Sequence, residues 1–202
     1  MSKMGRSMKL LINCVYLCAL LVSLPVLAEE TNGCPEGSYS VILSFDGKTI
    51  SILFDRFAIE SNGISGSGMQ RKICRLTAPL NLPPNYSVGV YKVDYRGFAK
   101  LGAKQNAELD VQYFLGPHDN EHGRVFKRKI QGPQEGDYLF TETIGAGQMK
   151  QLGCGAAALL ELAITLSLDT RQQSGPAMAS LDSADAAPYG ALVYHLNLKK
   201  CS

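Results

Sequence analysis

Strict alternation of apolar and polar residues is the feature that most constrains this chain. In residues 39–45 the odd positions are apolar, and Ile50, Ile52 and Phe54 resume the pattern. A period of two sends alternate side chains to opposite faces of a β-strand, so one face of each strand is buried. Asp46-Gly47 lies between the two runs and predicts a tight hairpin turn.

The same pattern recurs to the end of the chain. The further predicted strands cover residues 74–82, 88–101, 109–115, 123–131, 137–144, 158–168 and 192–198. Residues 158–168 begin in an Ala-rich stretch typical of a helix, but the strict alternation from Leu160 to Leu168 favours a strand. Eight or more strands without a convincing helix predict an all-β fold, a single β-sandwich domain for which a jelly roll is one candidate topology.

Two finer predictions concern how these strands connect. If residues 102–106 form a hairpin loop, Tyr95 faces Tyr113 on the buried side and Lys100 faces Glu108 on the solvent side. Both pairs are favourable neighbours across an antiparallel ladder. Residues 170–188 are rich in Ser, Ala, Gln, Asp and Gly and lack an apolar period, which predicts a long flexible loop.

The N-terminus has the build of a secretory signal peptide. Lys3, Arg6 and Lys9 precede an uncharged apolar run that ends in small residues at Ala28. This order is the one that signal peptidase requires, so we expect residues 1–28 to be removed and residues 29–202 to form the secreted domain. An uncleaved anchor is the main alternative, because about 18 apolar residues span a bilayer. Pro25 and the acidic pair after Ala28 favour cleavage.

Export changes both the charge and the cysteine count. Three of the 20 Lys and Arg residues leave with the signal, so 17 remain against 18 Asp and Glu, a formal charge of −1. Net charge therefore gives no support for a nucleic-acid partner. Four cysteines remain, Cys34, Cys74, Cys154 and Cys201, and an even number in an exported chain predicts two disulfides. Of three possible connectivities, proximity in sequence favours Cys34–Cys74 with Cys154–Cys201.

Several short segments, in this order, resemble one family. They are Gly33-Cys34-Pro35-Glu36-Gly37-Ser38, Phe54-Asp55, Arg71-Lys72-Ile73-Cys74, Val93-Asp94-Tyr95-Arg96-Gly97-Phe98-Ala99, Gly136-Asp137-Tyr138 and Cys154-Gly155. Together they resemble the secreted domain-of-unknown-function family 4360. The resemblance implies a small secreted protein with these cysteines and attaches no activity to it. The chain departs from the family in having no Trp near the last cysteine.

The first candidate site is on the strand at residues 88–101. Lys92, Asp94 and Arg96 share its polar face, where a carboxylate and two cations can bind a polar ligand. An ordinary solvated charge ladder explains the same pattern. Lys127-Arg128-Lys129 is interpreted as a charged edge strand, because adjacent residues point to opposite faces and cannot form one patch.

The second candidate is a metal site at His118 and His122. Two imidazoles and two carboxylates within residues 118–122 have the donor types that zinc or copper prefers. A polar turn between two strands is the simpler interpretation of these residues.

No catalytic residues and no cofactor are predicted. The chain has no G-x-S-x-G nucleophile motif, and the Gly-rich residues 63–68 lack the Gly-Lys-Ser/Thr that completes a phosphate-binding loop. The predicted function is a secreted, extracellular or periplasmic, non-catalytic binding or cell-surface interaction domain. Its expected partner is a glycan or a surface protein, with no membrane contact after signal cleavage. A secreted, metal-assisted hydrolase is the alternative.

Overall fold

The computed structural model describes residues 32–63, 68–80, 85–116, 123–152, 154, 158–181 and 191–201. The strands are β1 (Tyr39–Leu43), β2 (Thr49–Phe54), β3 (Ala58–Asn62), β4 (Met69–Leu80), β5 (Tyr86–Leu101), β6 (Asn106–Leu115), β7 (Arg124–Gln131), β8 (Gln134–Thr143), β9 (Ala158–Asp169), β10 (Pro176–Ser180) and β11 (Leu192–Lys200). They belong to one compact unit, Thr31–Ser202. Within the described ranges no helix is long and apolar enough to cross a membrane.

Two antiparallel sheets pack together as a sandwich, which confirms the predicted fold class. The larger sheet has seven strands in the order β1-β2-β11-β5-β10-β3, and β8 pairs with the other side of β5. The smaller has four strands in the order β4-β9-β6-β7. Alternate residues fill the core: one buried cluster includes Ile50, Ile52 and Tyr194 from the large sheet and Ile164 and Leu166 from the small one, all fully buried. Each such aliphatic side chain contributes about 1.5–3 kcal/mol to folding.

Both predicted disulfides are present. Cys34 is bonded to Cys74 on β4, and Cys154 is bonded to Cys201 just after β11. The bonds join residues 40 and 47 positions apart, and loops of that size correspond to roughly 4 kcal/mol each in the chain-entropy model.

The predicted hairpin between β5 and β6 is wrong, because the two strands belong to different sheets. Lys100 instead forms an ion pair with Glu135 on β8, and Glu108 forms one with Lys127 on β7. The buried side chain of Gln105 stabilises the crossing between the sheets. Its Oε1 accepts from the amide of Gly102 at 2.6 Å, and its Nε2 donates to the carbonyls of residues 173 and 175.

Part of the predicted long loop is a strand. β10 lies between β5 and β3 and pairs with both, and residues 182–190 fall outside the described part of the chain. Ala177 and Ala179 are its buried, inward residues. Alanine carries too little apolar surface to reveal a buried strand in a hydropathy pattern, which explains the wrong prediction.

Gly97 on β5 leaves room for the Tyr138 side chain of β8 to pass over β5. A Cβ at this position would overlap the carbonyl oxygen of Ser180 and the hydroxyl of Tyr138. That hydroxyl donates a buried hydrogen bond to the Ser180 carbonyl at 2.7 Å. The Tyr138 side chain thereby ties β8 to β10 across β5.

Candidate functional site

A bulge in β5 turns an aromatic side chain to the outer face of the large sheet. Lys92 lies opposite His195 on β11, whereas Val90 lies opposite Leu196, so Tyr91 is an extra residue in the ladder. Tyr91 is 42% exposed, although Val90 and Val93 are buried. Strict alternation along residues 88–101 would place Tyr91 on the buried face, with Val93 and Tyr95. That placement is wrong because a bulge shifts the alternation by one residue.

Asp94 lies next to this bulge and is only 6% exposed, although it faces away from the core. Its Oδ1 accepts a hydrogen bond from Thr141 Oγ1 at 2.7 Å. Its Oδ2 is 3.0 Å from Lys92 Nζ and 2.9 Å from His195 Nε2. Three adjacent strands, β8, β5 and β11, supply the groups that surround this one carboxylate.

The surroundings of Asp94 keep it ionised. Burial alone raises the pKa of the carboxyl, but hydrogen bonds from Thr141, His195 and Lys92 outweigh it and lower the pKa below the ordinary value. The side chain is therefore a permanent acceptor at neutral pH, and its donors are held in fixed positions. We call Tyr91, Lys92, Asp94, Thr141 and His195 the Asp94 cluster.

The structure brings together two of the three residues predicted to bind a ligand. Lys92 and Asp94 form an ion pair, while Arg96 lies one position further along the same face, opposite Leu139. Sequence reasoning missed His195, Thr141 and the exposure of Tyr91. Alternation places His195 on a solvent face, but nothing local to it shows that β11 pairs with β5.

A second polar network lies on the inner side of the same strands. Glu142 accepts from Tyr95 Oη at 3.0 Å and from two guanidinium nitrogens of Arg124 at 2.8 and 3.2 Å. Burial raises the pKa of Tyr95 far above its ordinary range, so this hydroxyl remains a donor. The network links β5 and β8, two of the three strands that carry the Asp94 cluster, to β7 of the other sheet.

The predicted metal residues, His118 and His122, lie outside the described residues. Among the residues that are described, no group of three or more His, Cys, Asp or Glu side chains is placed to hold a metal ion.

The basic run on β7 lies on an edge strand, as predicted. Lys127 pairs with Glu108 and Asp110, and Arg128 lies over the ring of Phe126.

Comparison with known proteins agrees with these features. The family model described as "Domain of unknown function (DUF4360)" matches residues 23–201. The chain belongs to this family. An "Uncharacterized secreted protein" of Arthroderma benhamiae is 23% identical to this DUF4360 chain over 171 residues, which cover 84% of this chain and 68% of that protein. The two disulfides are consistent with an extracellular location.

The segment Val93-Asp94-Tyr95-Arg96-Gly97-Phe98-Ala99, which resembles the family, has two separate tasks in this DUF4360 structure. Asp94 organises the polar groups of the outer face, whereas Gly97 gives Tyr138 room to cross β5. Tyr138 itself lies in another resembling segment, Gly136-Asp137-Tyr138. The contact between Gly97 and Tyr138 therefore gives a packing explanation for two of the motifs.

Proposed function

We propose that this DUF4360 protein is exported after removal of residues 1–28 and acts as a non-catalytic binding domain for a glycan. Its site is the Asp94 cluster on the outer face of the large sheet. The predicted export signal, the two disulfides and the secreted relative support an extracellular or periplasmic location. The binding role rests on the geometry around Tyr91.

The observation that carries the proposal is an exposed aromatic ring beside a preorganised polar group. The rings of Tyr91 and His195 lie 6.0 Å apart between centroids, and Asp94 fixes both His195 and Lys92. A flat aromatic ring packs against the apolar face of a sugar, while neighbouring polar groups pair with its hydroxyls. Because Asp94 holds these groups before a ligand arrives, binding costs less conformational entropy.

The surface around the cluster is also suited to a polar ligand. Thr49 lies opposite His195 on β2, and Thr143 lies opposite Lys92 on β8. The two threonines therefore flank His195 and Lys92, one on each side, in a row that runs across four neighbouring strands. The polar residues around Tyr91 fit a glycan better than a protein partner, whose interface centre is rich in several apolar and aromatic side chains.

A hydrolase is the alternative that the Asp94–His195 pair raises. In a hydrolytic triad the carboxylate orients an imidazole that activates a hydroxyl or thiol. Within the described residues the His195 ring has one hydrogen bond, to Asp94, and no hydroxyl or thiol is bonded to the ring. The metal-assisted version depends on His118 and His122, which lie outside those residues.

Cosedimentation with insoluble polysaccharides tests the proposal. The secreted protein is mixed with cellulose, chitin or β-1,3-glucan and the bound fraction is measured. We expect retention on at least one polymer and at least a tenfold weaker retention of Tyr91→Ala. Tyr86→Ala is the matched control, because Tyr86 is on the same strand and 36% exposed. Retention on none of the three, or equal loss in both variants, contradicts the proposal.

A further inference from the structure

The Asp94–His195 contact limits which ligands the site can bind. The inference drawn from it rests on the proposed function. An ionised carboxylate is only an acceptor, so a ring nitrogen 2.9 Å from it must carry a hydrogen. We infer that His195 is held with its hydrogen on Nε2, which leaves Nδ1 as an acceptor, and that the site recognises an uncharged sugar through one of its hydroxyls.

Asp94 is well suited to fix the imidazole in this form. Thr141 donates to Oδ1 from β8 and Lys92 binds Oδ2 from its own strand, which holds the carboxylate facing His195. Asp94 is therefore a positioning residue, because its near-complete burial leaves no room for it to contact the ligand itself.

The hydrogen-bond donors and acceptors that the cluster leaves unused define what a ligand must offer. Within the described residues Nδ1 of His195 has no hydrogen-bond partner, and the side chain is 21% exposed. Lys92 uses one of its three ammonium donors on Asp94 and is 35% exposed. With the exposed ring of Tyr91, the site offers one acceptor, two donors and an apolar face. A neutral pyranose matches this set with a hydroxyl donor, ring or hydroxyl oxygens and its C–H face.

An anionic sugar fits less well at neutral pH. A carboxylate or sulfate oxygen is only an acceptor and would meet the Nδ1 lone pair, because the ring hydrogen is on Nε2. The titratable groups facing His195 are Tyr91, Lys92 and Asp94 on β5, while β2 places the uncharged Thr49 opposite it.

Long-range ¹H–¹⁵N spectra of the ¹⁵N-labelled protein at pH 8 test the tautomer without any ligand. The chain has three histidines, and the signals that His195→Gln removes identify His195. We expect a protonated Nε2 and an unprotonated Nδ1. A hydrogen on Nδ1, or on both nitrogens at pH 8, overturns the inference.

Affinity electrophoresis with soluble β-1,3-glucan and with polygalacturonate tests the ligand class. We expect retardation by the neutral glucan at pH 8 and at least a tenfold loss in His195→Gln. The glutamine amide keeps a donor toward Asp94 but has no acceptor at the position of Nδ1. An unchanged melting temperature shows that the variant is folded.

The outcomes separate this inference from the proposed function. Preference for polygalacturonate at pH 8, abolished by Tyr91→Ala, overturns the inference and leaves glycan binding intact. Failure of every neutral and acidic polysaccharide to bind contradicts the proposed function, and the spectra then still decide the state of His195.

Discussion

Asp94 and His195 are 101 residues apart in the chain, and their side chains meet at 2.9 Å on the outer face of the seven-stranded sheet. β11 pairs with one edge of β5 and brings His195 to Asp94, while β8 pairs with the other edge and brings Thr141. Lys92 and Thr141 complete the surroundings of the carboxylate. The predictions below concern this cluster, the packing beneath it and the export of the chain.

Asp94→Asn should destabilise the protein by about 2 kcal/mol, within the range for a buried hydrogen-bonded charge. The amide keeps an acceptor for Thr141 but loses the charge that pairs with Lys92 and His195. Urea unfolding measures the change. Asp110→Asn is the control, because Asp110 is more exposed and lies 3.8 Å from Lys127, and we expect a change within about 0.5 kcal/mol. Equal losses would show that Asp94 is an ordinary surface charge.

The stability contributed by Asp94 should be lost in acid. The pKa of this carboxyl is lowered in the folded protein, so the unfolded chain binds the proton more readily and the contribution is present above the ordinary Asp pKa of about 3.9. It disappears as the pH falls through the lower, folded value. The difference in unfolding free energy between the wild type and Asp94→Asn should therefore be constant from pH 7 to 5 and shrink below pH 4. A difference that persists unchanged at pH 2 would refute this.

Gly97→Ala should cost at least about 3 kcal/mol or prevent folding, because the new methyl group overlaps the Ser180 carbonyl and the Tyr138 hydroxyl. Tyr138→Phe removes the hydrogen bond alone and should cost about 1–3 kcal/mol, since the buried carbonyl of Ser180 loses its donor. Gly145→Ala is the control, because a Cβ there meets no atom within 4 Å. Thermal unfolding distinguishes the three variants. An unchanged melting temperature in Gly97→Ala would contradict the close contact of Tyr138 with Gly97.

The mature protein should begin at Glu29. Expression of the full chain with its own leader in a secreting host, followed by N-terminal sequencing and intact mass, tests the cleavage after Ala28. The mass under non-reducing conditions should be about four daltons below that of the reduced chain, because two disulfides remove four hydrogens. Retention of residues 1–28 in the membrane fraction would instead support the uncleaved anchor.

Local sequence signals predicted those features that depend on neighbouring residues. The Asp46-Gly47 turn requires left-handed backbone angles, and Gly47 has φ of 68° between β1 and β2. Alternation in β9 was strong enough to exclude a helix, because five inward residues are large and aliphatic. Proximity in sequence was sufficient for the two disulfides, which close loops of moderate length.

Other features depend on which strands become neighbours, and no local pattern encodes that. β5 and β6 follow each other in the chain, yet the Gln105 turn sends them to different sheets. The bulge at Tyr91 is a property of the β5–β11 ladder and is invisible in either strand alone. Lys92 and Asp94 were therefore predictable as a polar face, whereas His195 and Thr141 were not.

Titration of the ¹⁵N-labelled protein with a short soluble β-1,3-glucan oligosaccharide, followed by amide chemical shifts, tests the central claim most directly. The account predicts saturable shifts confined to residues 91–95, 141–143 and 193–196, which disappear in Tyr91→Ala and persist in Tyr86→Ala. If the shifts instead occur on the outer face of the four-stranded sheet, or Tyr91→Ala binds as the wild type does, the Asp94 cluster is not the binding site.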